Sequence, residues 1–341
     1  AYIDALGPDA LARAAAYTAG NHWLLLWGLC VSAAATWIVV RSGILDRFAR
    51  RLSTRGPGPR SLLLGLLFFL VLSALTLPWD VWAEWARERA YGRTSQSLGD
   101  FLAQAALAAA VYSTLGAAFF TGLYAVMRRA GGRWWLWAGG FTAASLAGFL
   151  LAAPVLIQPM FNDYRPLPEG EVRDAVVAQA RQAGVPAERV FVFDGSRQSN
   201  NFTANAAGIG GTARVAISDV AYRGASLDEV RAVVGHEIGH YVLSHVWRNV
   251  LVYSTLSVAL FWLVDRLYLR FARAFGSDAR LPDPVGLPVL VFMLALFALL
   301  ARPVTNTLSR VAETEADRYS LETVGQPDAL ATALVKTAEY R

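Results

Sequence analysis

Ser226–Arg248 reads SLDEVRAVVGHEIGHYVLSHVWR and holds three of the chain's four histidines, His236, His240 and His245. Ser226 followed by Glu229 forms a capping box, in which each side chain satisfies a free backbone N–H, so helix is expected from Leu227. Val230, Val233, Val234 and Ile238 recur at helical spacing, and no proline interrupts before Pro282. On that helix His236 and His240 lie about 40° apart around the axis and project from one face, where two imidazoles can hold one zinc ion. Glu237 stands about 100° from His236, placed to act on a metal-activated water without being a ligand. His245 lies about 140° beyond His240, so it is expected to point elsewhere and is not counted as a ligand.

The surrounding chain is of a different kind. Of 341 residues, 55% are hydrophobic, and the mean hydropathy of +0.37 is too high for an ordinary soluble domain. Apolar runs at Trp23–Val40, Ser61–Pro78, Ala105–Met127, Trp135–Ile157, Val250–Leu269 and Val285–Ala301 are about long enough to cross a bilayer, which gives six expected spans. The residues before the first run read as a polar lead-in without a cleavable signal. Because the first residue is Ala1 rather than methionine, a preceding piece of chain is also expected. The net charge of +5 comes from arginines gathered in the short loops between apolar runs. That is a topology signal, and no nucleic-acid partner is expected. By the positive-inside rule, the loops at 41–60, 128–133 and 266–280 face the cytoplasm and the histidine segment faces away from it. Cys30 is alone, which excludes an intrachain disulfide and a thiolate metal site.

These features divide the chain into 1–157, a membrane domain of four spans; 158–248, a small α+β domain ending in the histidine helix; 249–302, two further spans; and 303–341, a C-terminal helical segment. Within the second division, Glu169–Gln182 reads as a helix, Arg189–Phe193 and Arg214–Ile217 read as strands, and the glycines of 208–211 mark a hairpin or edge strand. Trp79, Trp82 and Trp85 recur at helical spacing as an aromatic belt. In the last division Asn306–Glu322 reads NTLSRVAETEADRYSLE. Glu313 and Asp317 share one helix face there, and Glu315 lies about 200° from Glu313. Taken alone, this segment is a solvated helix with Arg310, Glu313 and Arg318 in surface ion pairs. A zinc site built on two histidines without cysteine needs a third ligand, however, and a glutamate on another helix commonly supplies it.

HEIGH and SRVAETEAD, together with LPWDVWAEWARERAYG (Leu77–Gly92) and PMFNDYRPLPEGEV (Pro159–Val172), resemble the CAAX prenyl protease family of integral-membrane zinc metalloproteases. The likeness runs from about residue 60 to residue 325. It implies a mainly α membrane protein, a multi-span helical bundle enclosing a chamber, with a small α+β metalloprotease domain at one end. It implies one Zn2+ per chain on His236, His240 and Glu313, with Glu237 as catalytic base and Asp317 holding a ligand histidine by its other ring nitrogen. The family's substrate-binding edge strand falls at Thr203, Ala204 and Asn205, where its usual Asn-Ala pair is replaced by Thr-Ala. The implied partners are the lipid bilayer and a peptide or protein substrate, with C-terminally lipidated chains among them. The implied setting is a bacterial inner membrane, and the family's eukaryotic members face the cytosol, opposite to the side the arginine loops indicate, so the side of the site stays open. Two rival readings share these motifs: a membrane scaffold or channel with a structural zinc, which would need four protein ligands, and a quality-control protease unrelated to prenylation.

Overall fold

The computed structural model describes residues 6–184, 189–208 and 212–339. It opens with a long helix α1, Gly7–Ser42, followed by a short α2, Ile44–Arg51. The expected polar lead-in is therefore already helical. Its alanines favour helix and Pro8 occupies the first turn, where its missing N–H costs nothing. α3, Pro57–Asp80, passes through a wide π-type turn at Val81–Ala86 into α4, Arg87–Ala90. α5, Leu98–Ala130, reverses at Gly131–Arg133 into α6, Trp134–Ala152, and a second wide turn at Ala153–Ile157 leads to α7, Gln158–Phe161.

Gly7–Ser42, Pro57–Ala90 and His245–Phe275 are each long and apolar enough to cross a membrane. So is Leu98–Phe161, but its 64 residues would extend about 96 Å as one straight helix, some three bilayer cores. The turn at Gly131–Arg133 and the packing of α5 against α6 make it two crossings. The last expected span is a special case. Pro284–Leu300 qualifies only together with Arg302–Val324, and the two are bent by 56°. Trp23, Trp27, Trp37, Trp137 and Leu251 face outward on these helices, as lipid-facing side chains do. Leu64, Phe68, Leu123, Val264, Leu290 and Met293 fill the bundle interior. A cavity of about 670 Å³ opens between α3 and α5, lined by Asp80, Glu84, Gln104 and Tyr112 among apolar neighbours. The tryptophan belt is only partly a belt: Trp82 is exposed, whereas Trp85 turns inward and donates from Nε1 to the Gln96 carbonyl at 3.0 Å.

The small domain comprises β1 (Tyr164–Pro166), α8 (Glu171–Gln182), β2 (Val190–Phe193), β3 (Ala204–Ala207), β4 (Arg214–Ser218), α9 (Asp219–Gly224) and α10 (Leu227–Val242). Strand order is β1-β2-β4-β3, with β2 and β4 parallel and the other pairs antiparallel. β4 is central and every residue of it is buried. β3 lies at the edge with one side unpaired. The expected turn at 208–211 lies mostly outside the described residues. β1 is the strand that the sequence conceals, because three residues ending in proline carry no alternation to read. Val176, Val215, Ile217, Val230, Val234 and Ile238 clamp α8 and α10 onto one face of the sheet.

The chain then continues as α11 (His245–Phe275), α12 (Leu287–Leu300), α13 (Arg302–Val324) and α14 (Pro327–Glu339). The C-terminal segment is thus two helices, broken at Gly325 with φ +68°. Ion pairs and hydrogen bonds fasten the small domain to one end of the bundle. Arg197 pairs with Asp100 at 2.5 Å, and Asn200 donates its backbone N–H to the Arg93 carbonyl at 2.8 Å.

Candidate metal centre

α10 starts where the sequence places it, with both hydrogen bonds of the Ser226–Glu229 capping box formed. Two glycines then decide what packs on it. A Cβ on Gly239 would come within 3.2 Å of the Ala316 Cα, and one on Gly235 within 3.1 Å of the Ser320 Oγ. The facing helix α13 presents small buried residues at matching spacing, Ala312, Ala316 and Ser320. Ser320 also donates from Oγ to the Ala232 carbonyl at 2.6 Å. The two backbones therefore approach closely, and the acidic residues flanking that small stripe are carried up to the histidines.

The result is a compact donor set. His236 Nε2 and His240 Nε2 stand 3.1 Å apart. Glu313 Oε2 lies 3.3 Å from His236 Nε2, and Glu313 Oε1 lies 3.8 Å from His240 Nε2. Ligands held tetrahedrally about 2.0–2.1 Å from a zinc ion stand about 3.3 Å from one another, so the spacing suits that ion. The three residues form the one group of three or more candidate ligands among the described residues. Two imidazoles and a carboxylate are a hydrolytic zinc set with a position left open, where a closed structural site would need a fourth protein donor. Burial, then the neighbouring His236, push the His240 pKa below its ordinary value, which favours the neutral ring that a metal ligand requires. Asp317 Oδ1 meets His236 Nδ1 at 2.8 Å.

Glu237 sits behind His236 against the sheet edge. Burial raises its pKa to about 7, opposed by the His236 ring and by the Ala206 backbone N–H, which donates to the carboxylate. That bond fixes the orientation of β3. N–H and C=O groups alternate sides along a strand, so Ala206 and, two residues away, Ala204 turn their backbone toward the free edge. Of the three residues expected along the substrate strand, Ala204 and Asn205 lie on β3. Thr203 is set back: its carbonyl accepts from Ser218 N–H at 2.9 Å and its N–H donates to Ser218 Oγ at 3.3 Å.

His245 does not point elsewhere. Its Nδ1 is 2.8 Å from His240 Nδ1, and its Nε2 is 2.9 Å from Glu315 Oε2. The expectation assumed one continuous helix, but α10 ends at Val242 and Ser244 adopts φ +58°, so the chain turns back before α11 begins. Among the described residues, Ser244 is the one non-glycine residue with positive φ. Glu315, which the helical spacing sets about 200° from Glu313, and Arg248, which the sequence reading gave no role, meet at 2.7 Å beside His245.

A membrane-embedded helical bundle whose capping domain pairs an HExxH helix with a carboxylate from a second helix defines the class of membrane metallopeptidases. The chain belongs to peptidase family M48. The family model for that family matches residues 166–339, and a model described as the CAAX prenyl protease N-terminal region with five membrane helices matches residues 2–163. An uncharacterized metalloprotease of Bacillus subtilis, YhfN, is 26% identical over 92% of this chain and 75% of its own. CAAX prenyl protease 1 of Saccharomyces cerevisiae is 33% identical over 53% of this chain and 44% of its own. The chain thus spans less than half of that yeast relative. The crystal structure of S. mikatae Ste24p shares the fold, with a TM-score of 0.67 and 22% identity over 80% of this chain and 68% of that one. The protein is accordingly a multi-pass membrane metallopeptidase.

Proposed function

We propose that this chain is a zinc endopeptidase that cleaves an extended peptide laid along β3, with C-terminally lipidated chains as its substrate class. The observation that carries this reading is the convergence of His236, His240 and Glu313 beside Glu237, against an unpaired strand edge. A zinc ion on those three groups supplies a Lewis acid and makes water nucleophilic at neutral pH. The remaining work falls to the protein. Glu237, with a pKa near neutrality, accepts a proton from the attacking water and returns it to the leaving amine. The outward-facing backbone of Ala204 and the Ala206 carbonyl add the substrate as a further strand, which sets register without reading side chains. Asp317 holds His236 by Nδ1, which leaves Nε2 toward His240 and Glu313, where it would hold the ion.

A lipidated substrate is supported by the position of the small domain on the end of a lipid-facing bundle and by the likeness to eukaryotic CAAX prenyl proteases. Purified protein should contain one zinc per chain and cleave a prenylated peptide in preference to its unprenylated form. His236→Ala should lose the metal, and Glu237→Gln should keep it while cleavage falls by at least about 10²-fold. Undiminished proteolysis by Glu237→Gln would sink the assignment. Equal cleavage of the two peptides would remove lipid from the substrate class and leave a general membrane peptidase.

A further inference from the structure

We propose that His245, Glu315 and Arg248 form a relay that fixes the tautomer and ring plane of His240, making them positioning residues of the metal site. The inference rests on His236, His240 and Glu313 being the zinc ligands. An ionised Glu315 offers only acceptors, so its 2.9 Å contact with His245 Nε2 is made by an Nε2–H donor. A neutral ring with its proton on Nε2 keeps a lone pair on Nδ1. With His245 in that neutral form, the proton in the 2.8 Å contact between His245 Nδ1 and His240 Nδ1 belongs to His240. His240 is left with a lone pair on Nε2, aimed at His236 Nε2 only 3.1 Å away.

Asp317 imposes the same order on His236 from the opposite side, since it accepts from His236 Nδ1 at 2.8 Å. Two imidazole lone pairs that converge at this distance repel each other unless a cation lies between them. The two outer contacts therefore set both rings for metal. Where one histidine has a carboxylate directly behind it, the other has a second imidazole and then a carboxylate. Arg248 donates from Nη1 to the same Glu315 oxygen at 2.7 Å, which holds the far end of the relay in place. His245 is itself almost fully buried, at 2% exposure, and the turn at Ser244 brings it into line.

The test is zinc affinity, measured by chelator competition on the purified full chain, alongside thermal unfolding of the metal-free protein. His245→Phe fills the buried volume and removes the acceptor, and should weaken zinc binding about 10- to 100-fold. His245→Asn keeps an oxygen that can accept from His240 Nδ1–H and should recover most of that loss. Glu315→Ala, on a partly exposed position of α13, should weaken binding several-fold and serves if a His245 variant does not fold. Wild-type affinity in both His245→Phe and Glu315→Ala would overturn the relay. So would equal losses in the Phe and Asn variants that track a lowered unfolding temperature, because a merely structural histidine behaves that way. A wild-type protein that binds no zinc would overturn the ligand reading and the relay together.

Discussion

Glu237 is pulled in two directions, by burial that favours its neutral form and by the Ala206 N–H and the His236 ring that favour its anion, and burial wins. Its pKa, raised to about 7 from 4.5, makes a definite statement about the metal-free protein. Below pH about 4.5 the group is protonated in both the folded and unfolded states and its contribution to stability is at its maximum. As pH rises toward 7 the unfolded chain ionises first, so stability falls by up to about 3 kcal/mol and then levels off. Glu237→Gln should abolish this decline, which thermal unfolding of the metal-free protein between pH 4.5 and 8 would show. A bound cation favours the anion, so zinc loading should also flatten the curve in the wild type. At this scale the sequence was legible where a motif has fixed helical geometry. The spacing of His236, Glu237 and His240 needs only an unbroken turn. His245 was misread because its direction depends on a positive φ at a serine, for which no local pattern gives warning.

At the scale of elements, the site depends on how closely α10 and α13 pack. Gly239 faces Ala316 and Tyr319 with no room for a larger side chain. Gly239→Val should force the helices apart, separate Glu313 from the two histidines and weaken zinc binding by at least about 10-fold. The same substitution should cost about 1–3 kcal/mol in stability from overpacking. Chelator competition and thermal unfolding check the two effects separately. Paired small residues four apart, Gly235 with Gly239 and Ala312, Ala316 and Ser320 on the partner, are visible in the sequence as two stripes. Nothing in either stripe says that it meets the other. The helix at 171–182 and two of the strands were legible from periodicity, whereas β1 was too short to show a period. The single run Val285–Ala301 also hid the bend that takes the chain from membrane into the site.

Across the whole molecule, the arginine-rich loops gather at one end and the small domain caps the other. Arg41 packs against Gly276, Arg60 reaches Asp283 at 3.9 Å, and Trp134 donates to Asp265 at 2.8 Å. At the opposite end Tyr17 donates to Glu88 at 2.8 Å, beside the Arg93 carbonyl that holds Asn200. On the positive-inside rule the small domain is expected on the side away from the cytoplasm, and thiol labelling tests that side. With Cys30→Ser as background, an impermeant thiol reagent applied to intact cells should label Glu169→Cys and spare Arg55→Cys. The reverse pattern would place the small domain in the cytoplasm.

The donor set is divided between α10 and α13, and α11 and α12 lie between them in the chain. During synthesis, the histidine helix therefore leaves the ribosome well before the glutamate that completes its site. Until α12 has returned the chain to the same end of the bundle, the nascent polypeptide holds two metal donors and lacks the third. On the proposed ligand set, a complete metal site therefore forms only after both intervening helices have been inserted.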